Sequence, residues 1–229
     1  MNVTIRIICF ICGYICGLFE TGYFYGKVKG IDIRNYGSGN SGTTNALRVL
    51  GKKAGLVVFI GDFFKAFIPC FVVRLLTQNQ YPDIFLLFVL YVGLGVICGH
   101  NFPFYLKFKG GKGVAATAGM IAGLLIPLMI VILLVLFVAV VAVTRYVSLG
   151  SILLMIEFIT CYVIFALSGM LCFDPKGDSK CEMIESIVLV VIVGVMSILK
   201  HRANIVRLLH GEENKLGDKK KISEIKEED

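Results

Sequence analysis

Small, hydroxylated and cationic side chains are concentrated in four short segments of this sequence, and their types suit the holding of a phosphate. The first reads Gly37-Ser-Gly-Asn-Ser-Gly-Thr-Thr-Asn-Ala-Leu-Arg48. Glycines let a backbone bring its N–H groups close to an anion, Ser38, Thr43 and Thr44 add hydroxyl donors, and Arg48 adds a forked charge. Gly37 and Gly42 have the spacing of a nucleotide P-loop, but Thr43 stands where that loop requires lysine. The plain alternative is a flexible polar turn. The second segment, Gly99-His-Asn-Phe-Pro-Phe-Tyr-Leu-Lys-Phe-Lys-Gly-Gly-Lys-Gly113, sets three lysines and four glycines before an apolar run. Lys107 and Lys109 read as interfacial anchors beside Phe104 and Phe108, whereas Lys112, held between glycines, reads as an anion ligand. Thr144-Arg-Tyr-Val-Ser-Leu-Gly-Ser151 and Lys200-His-Arg-Ala-Asn-Ile-Val-Arg207 complete the set. His201, Asn204 and Arg207, three apart, share a helix face, which makes His201 a site candidate and leaves His210, nearer the polar end, incidental. Asp62 and Lys65 stand three apart within an apolar run and can neutralise each other there. Such a pair either fixes helix packing beside a site or takes part in it.

The elements that must position these segments are membrane helices. Of 229 residues, 57% are hydrophobic and 17% charged, and the mean hydropathy of +0.82 exceeds what one soluble core can hide. Apolar runs lie at about 3–26, 54–76, 83–99, 114–143, 147–172 and 183–200. The first has no small-residue cleavage site and is expected to be retained as a span. The run from Val114 to Val143 is longer than one crossing needs and is interrupted by Gly119, Gly123 and Pro127, so it is expected to form two short helices. Lys and Arg collect at 27–53 and 100–113, while 77–82 is uncharged and 173–182 carries more acid than base. With Arg145 and Lys200, Arg202 and Arg207 on the side of the basic loops, the fold class is an all-α bundle of about seven membrane helices. Its amino terminus is expected outside and its carboxy terminus in the cytoplasm. Residues 1–210 then form one membrane domain, and 211–229, mixing Lys and Glu without apolar period, form a mobile charged tail.

The net charge of +7 sits between spans and reads as topology, which excludes a nucleic-acid partner. Cys9, Cys12, Cys16, Cys70, Cys98 and Cys161 lie in apolar runs and read as buried thiols. Cys9, Cys12 and Cys16 share a face but have no His or carboxylate to complete a metal shell. Cys172 and Cys181 flank a polar loop, where pairing stays open.

Taken together, Ser38 to Arg48, Asp62-Phe-Phe-Lys65, Gly99-His-Asn-Phe-Pro, Phe108-Lys-Gly-Gly-Lys-Gly113, Thr144 to Ser151 and His201 to Arg207 resemble the bacterial acyl-phosphate:glycerol-3-phosphate acyltransferases, the PlsY family. The likeness runs in order over about residues 5–217. It implies transfer of an acyl group from acyl phosphate to the 1-hydroxyl of glycerol 3-phosphate, giving 1-acylglycerol 3-phosphate (lysophosphatidate) and inorganic phosphate. That is the first acylation of phospholipid synthesis, at the cytoplasmic side of a bacterial plasma membrane. By the same resemblance Ser38, Asn40, Thr44, Arg48 and Lys112 hold phosphate groups, and Ser148, His201 and Asn204 complete a catalytic set. Proline is common in the family where Ser41 stands, and a small residue where Thr43 stands. His201 or the donor's own phosphate takes the hydroxyl proton, with the phosphate preferred.

No His-x4-Asp pair and no Gly-x-Ser-x-Gly elbow occurs, so no acyl-enzyme, metal or cofactor is expected. The expected partners are the two substrates and membrane lipids, with the chain acting as a monomer. Two other readings are a transporter of phosphorylated metabolites, which needs bases at membrane depth, and a structural scaffold, which leaves four anion-binding segments unexplained.

Overall fold

In lipid a backbone must satisfy its own hydrogen bonds, and apolar runs of this length do so as helices. The structure, a computed structural model, describes residues 3–174 and 176–217. Among the described residues every regular element is helical. α1 (Val3–Gly17) and α2 (Thr21–Val28) follow each other across a three-residue break, and a loop leads to the short α3 (Thr43–Leu50). α4 (Lys52–Thr77), α5 (Phe85–Asn101), α6 (Val114–Leu124), α7 (Pro127–Thr144), α8 (Val147–Leu167) and α9 (Lys180–Lys200) make up the bundle, and α10 (Arg202–Leu209) follows. Among the described residues six stretches are long and apolar enough to cross a membrane: Val3–Val28, Lys52–Thr77, Phe85–Leu106, Pro127–Thr144, Val147–Leu167 and Lys180–Lys200. α6 is apolar but short, about 17 Å long at the usual rise.

The run at 114–143 divides as expected, but not at its glycines. Gly119 and Gly123 lie within α6, and the break falls at Leu125, whose φ is +50°, and Ile126, just ahead of Pro127 at the start of α7. The two glycines instead let α6 approach α4: a Cβ on Gly119 would overlap the backbone of Phe63, and one on Gly123 would overlap Cys70. The same device joins α1 to α5. Gly13 and Gly17 face the backbone of Val92 and Val96, and Gly95 and Gly99 face Phe10, Tyr14 and Gly17. Between helices in lipid there is little hydrophobic drive, so association rests on close packing, and small residues permit it.

α5 is the central helix, with Leu86–Leu90, Val92, Leu94, Val96 and Ile97 all buried. α7 buries only Met129 and Leu133 and turns its other apolar side chains outward, as a helix facing lipid does. α8 stops at Leu167, short of the expected residue 172, because Ser168 and Gly169, whose φ is +73°, turn the chain away. A second, smaller core of Ile33, Ala46, Val49, Ala54 and Val58 seats α3 on the first turns of α4. The eight cysteines are free thiols, Cys172 and Cys181 included.

Candidate active site

The first glycine-rich segment is a loop shaped by one side chain. Asn45, on the first turn of α3, accepts from the Ser38 N–H at 2.9 Å through Oδ1. Its Nδ2 donates to the carbonyls of Ile33 at 3.1 Å, Tyr36 at 3.1 Å and Asn40 at 2.8 Å. Gly37 has φ +62° and Gly39 φ +70°, conformations that glycine adopts freely. Asn40 accepts from the Gly42 N–H at 2.8 Å, closing the loop against the start of α3. That helix end has no side-chain cap, and it opens on a cavity of about 590 Å³ lined by Ser38, Asn40, Thr43, Thr44 and Arg48. Thr44 and Arg48, four apart, share the lining face of α3.

The second loop brings Lys112 to the same cavity. Gly110 and Gly111 pass under the end of α5, their N–H groups donating to the carbonyls of Asn101 at 3.3 Å and His100 at 3.1 Å. Gly113, with φ +80°, then starts α6. The Lys112 ammonium donates to Asn204 Oδ1. Asn204 Nδ2 donates to Glu213 Oε1 at 2.8 Å, and Arg207 Nε donates to Glu213 Oε2 at 2.8 Å. Burial pulls the Lys112 ammonium down to about 8, with the neighbouring carboxylate of Glu213 opposing. His201 is 3% exposed, and its Nδ1 lies 2.8 Å from the Ser197 carbonyl. A proton on Nδ1 donates to that carbonyl and leaves Nε2 as an acceptor. Burial, reinforced by the Lys112 cation, brings His201 down to about 4, so its ring is neutral at physiological pH.

Nine of the ten candidate residues line this one cavity: Ser38, Asn40, Thr44, Arg48, Asp62, Lys112, Ser148, His201 and Asn204. Two of its hydroxyls, Thr43 Oγ1 and Ser148 Oγ, are buried without a hydrogen-bond partner, which suits them to a ligand's oxygens. Lys65 does not line it. Its ammonium lies 3.0 Å from Asp62 Oδ1 and 3.5 Å from Glu20 Oε1, so the deep cation is neutralised within the bundle rather than offered to a permeation path. Among the described residues no set of His, Cys, Asp and Glu comes together to hold a metal, and Lys65 Nζ occupies the place among Glu20, Asp62 and His100 where a cation would sit.

Away from its polar end the cavity is walled by Phe59, Phe63, Ile121, Leu134, Phe137 and Val141, from α4, α6 and α7. Two lining residues, Asn45 and Glu213, and Glu20, which lies outside the lining beside Lys65, were not legible from types and spacing. Asn45 acts by shape, Glu20 lies inside an apolar run, and Glu213 falls in what reads as a polar tail. The packed chain in fact continues past residue 210: Glu213 is 9% exposed, and the Leu216 carbonyl accepts from Arg145 Nη2 at 2.6 Å. Residues 218–229, the rest of the expected tail, lie outside the described residues.

Residues 7–211 match the protein family described as glycerol-3-phosphate acyltransferase. The chain is 39% identical over 213 residues to the glycerol-3-phosphate acyltransferase of Thermoanaerobacter sp. (strain X514), covering 93% of this chain and 96% of that protein. It is 41% identical over 216 residues to that of Staphylococcus saprophyticus, covering 92% and 97%. Its fold is similar to a crystal structure of PlsY, an integral membrane glycerol 3-phosphate acyltransferase, in the glycerol 3-phosphate form. The TM-score is 0.76 at 32% identity, over 93% of this chain and 96% of that one. The lysophosphatidic acid form gives 0.73 at 30% identity, over 92% and 94%.

Proposed function

The chain belongs to the glycerol-3-phosphate acyltransferase family, and from that premise we propose that it moves a fatty acyl group from an acyl phosphate to the 1-hydroxyl of glycerol 3-phosphate. The products are lysophosphatidate and inorganic phosphate. The observation that carries this reading is the two-ended cavity, which joins a cationic, hydroxyl-rich end to an apolar channel between α4, α6 and α7. Ser38, Asn40, Thr44, Arg48 and Lys112 are the phosphate ligands, and the apolar walls take the acyl chain. Two anionic substrates side by side need this density of donors, and an acyl phosphate, already activated, needs mainly positioning and stabilisation of its carbonyl oxyanion.

The hydroxyl oxygen attacks the acyl carbon, the bond from that carbon to the phosphate oxygen breaks, and the hydroxyl proton passes to the departing phosphate. Support for the phosphate as base comes from His201, whose pKa of about 4 makes its ring a weak base at neutral pH. The phosphate, by contrast, gains basicity as it leaves. His201, Asn204 and Ser148 then orient the reacting groups. His201→Gln, which keeps a hydrogen bond but takes no proton near neutral pH, is expected to retain substantial turnover. Abolished turnover with glycerol 3-phosphate binding intact would make His201 the base instead.

The sidedness of this reading is seven crossings, with the amino terminus outside and the site in the cytoplasm. Lys112 just before α6 and Ser148 at the start of α8 line the same cavity, which supports counting α6 and α7 as a path out and back. Segregation of Lys and Arg to the loops on that side supports the cytoplasmic assignment. The enzyme acts as one folded membrane unit, a monomer among membrane lipids. Purified protein supplied with glycerol 3-phosphate and either palmitoyl phosphate or palmitoyl-CoA tests the donor. Lysophosphatidate should form from the acyl phosphate alone, and formation from the thioester alone would reject the proposal.

A further inference from the structure

Beside the two anion-binding loops lies a buried polar cluster, reaching the cavity wall through Asp62 and His100, that the acyl transfer as written above gives no role. Glu20, in the break between α1 and α2, is 0% exposed. Its Oε2 accepts from Ser41 Oγ at 2.7 Å, and Ser41, itself 1% exposed, belongs to the first loop. Its Oε1 faces His100 Nδ1 at 2.7 Å and Lys65 Nζ at 3.5 Å. Nδ1 also lies 2.7 Å from Lys65 Nζ, so an unprotonated ring accepts from the ammonium and a protonated one donates to the carboxylate. Thr21 Oγ1 donates to Asp62 Oδ1 at 3.0 Å, and Lys65 donates to the Phe19 carbonyl at 2.8 Å, tying α4 to the same break. From the other side His100 carries the second loop. Its carbonyl accepts the Gly111 N–H at 3.1 Å, and its ring fills the space that a Cβ on Gly111 would need.

A single carboxylate therefore reaches the first loop through a serine hydroxyl and the second through an imidazole. Asn45 already fixes the internal shape of the first loop with four hydrogen bonds. The Glu20–Ser41 bond adds nothing to that shape and instead fixes where the loop sits on the bundle. Helix packing alone is served in this protein by glycine contacts, which carry no desolvation cost, whereas a fully buried carboxylate is costly unless it is paired and hydrogen-bonded.

We infer that Glu20 and His100 are positioning residues that hold the two loops in register. They set the distance from Ser38 and Arg48 to Lys112, and so the affinity for the phosphate of glycerol 3-phosphate. The inference rests on the reading of those loops as phosphate ligands. The test is the Kd of glycerol 3-phosphate by calorimetry on detergent-purified protein, with KM and kcat, for the parent, Ser41→Ala, Glu20→Gln and the double variant. Ser41→Ala removes one oxygen and leaves the ionic cluster whole, so it carries the test by itself if the Glu20 variant does not fold. It should weaken Kd and raise KM by about tenfold while kcat stays within about twofold, and the double variant should bind no more weakly than the weaker single one, because both changes break one link. A parent that binds glycerol 3-phosphate beside a Ser41→Ala variant with unchanged Kd, or one altered only in kcat or unfolding temperature, would overturn the positioning role and leave the phosphate site standing. A parent that does not bind glycerol 3-phosphate would overturn the phosphate site and the inference with it.

Discussion

Burial lowers the Lys112 ammonium to about 8, so the cation is present at neutral pH and is lost as the medium becomes alkaline. Because kcat/KM reports groups of the free enzyme, its value for glycerol 3-phosphate should fall as pH rises through about 8. Lys112→Arg, whose guanidinium does not deprotonate in this range, should flatten that limb. A profile of the parent that stays level well above this pH would contradict the charge role of Lys112. Asn45 sets a second test at this scale. Asn45→Ala removes the acceptor for Ser38 N–H and the donor to three carbonyls, and is expected to cost about 2–4 kcal/mol of stability and most of the activity. Denaturation in mild detergent, read beside turnover, checks both. Much of the cavity lining was legible in the sequence, because glycines, hydroxyls and cations crowded between apolar runs marked Ser38, Thr44, Arg48 and Lys112, while Asn40 and Ser148 entered only through the likeness to the acyltransferase family. Asn45 was not, because its work is to shape backbone, and an asparagine in a polar loop looks the same whether it shapes or binds. Glu213 was hidden for the opposite reason: a carboxylate among lysines near the carboxy terminus reads as solvated, and only the fold places it on Asn204 and Arg207.

The helices themselves follow from apolar length, and their expected bounds differ from the observed ones by a few residues at most ends. How they pack was less visible. The glycines at 119 and 123 read as interruptions because glycine weakens a helix in water, yet in lipid a helix has little alternative, and its glycines become contact points. Of the three interruptions expected in the run at 114–143 only the one at Pro127 divides it: Pro127 begins α7, since the residue before a proline is pushed out of the helical region. The Gly13 and Gly17 contacts of α1 with the Gly95 and Gly99 face of α5 bring the two backbones together where no side chain fits. Gly95→Val is therefore expected to destabilise the protein by roughly 3 kcal/mol or more, seen as a drop in unfolding temperature in detergent. Val138→Leu, on the exposed face of α7, is expected to be neutral. Equal stability of the two variants would contradict the packing argument.

For the molecule as a whole, the folds of the loops matter through where they meet. Segments far apart in sequence, from α3, the loop before α6, the start of α8, the end of α9 and the packed residues after α10, converge on one cavity with a polar end and an apolar end. That convergence favours a surface enzyme over a conduit, because Lys65, the main cation at depth, is consumed by Glu20 and Asp62. It also gives the apolar channel a purpose that composition alone did not reveal, since every wall residue of that channel looked like any other lipid-facing side chain. The most direct test of this account is the release of inorganic phosphate from palmitoyl phosphate by the purified protein in lipid, with and without glycerol 3-phosphate, beside an Arg48→Ala variant. Release should depend on glycerol 3-phosphate, match lysophosphatidate mole for mole and be lost in the variant. Release that ignores the acceptor, or none from a well-folded sample given both substrates, would contradict it.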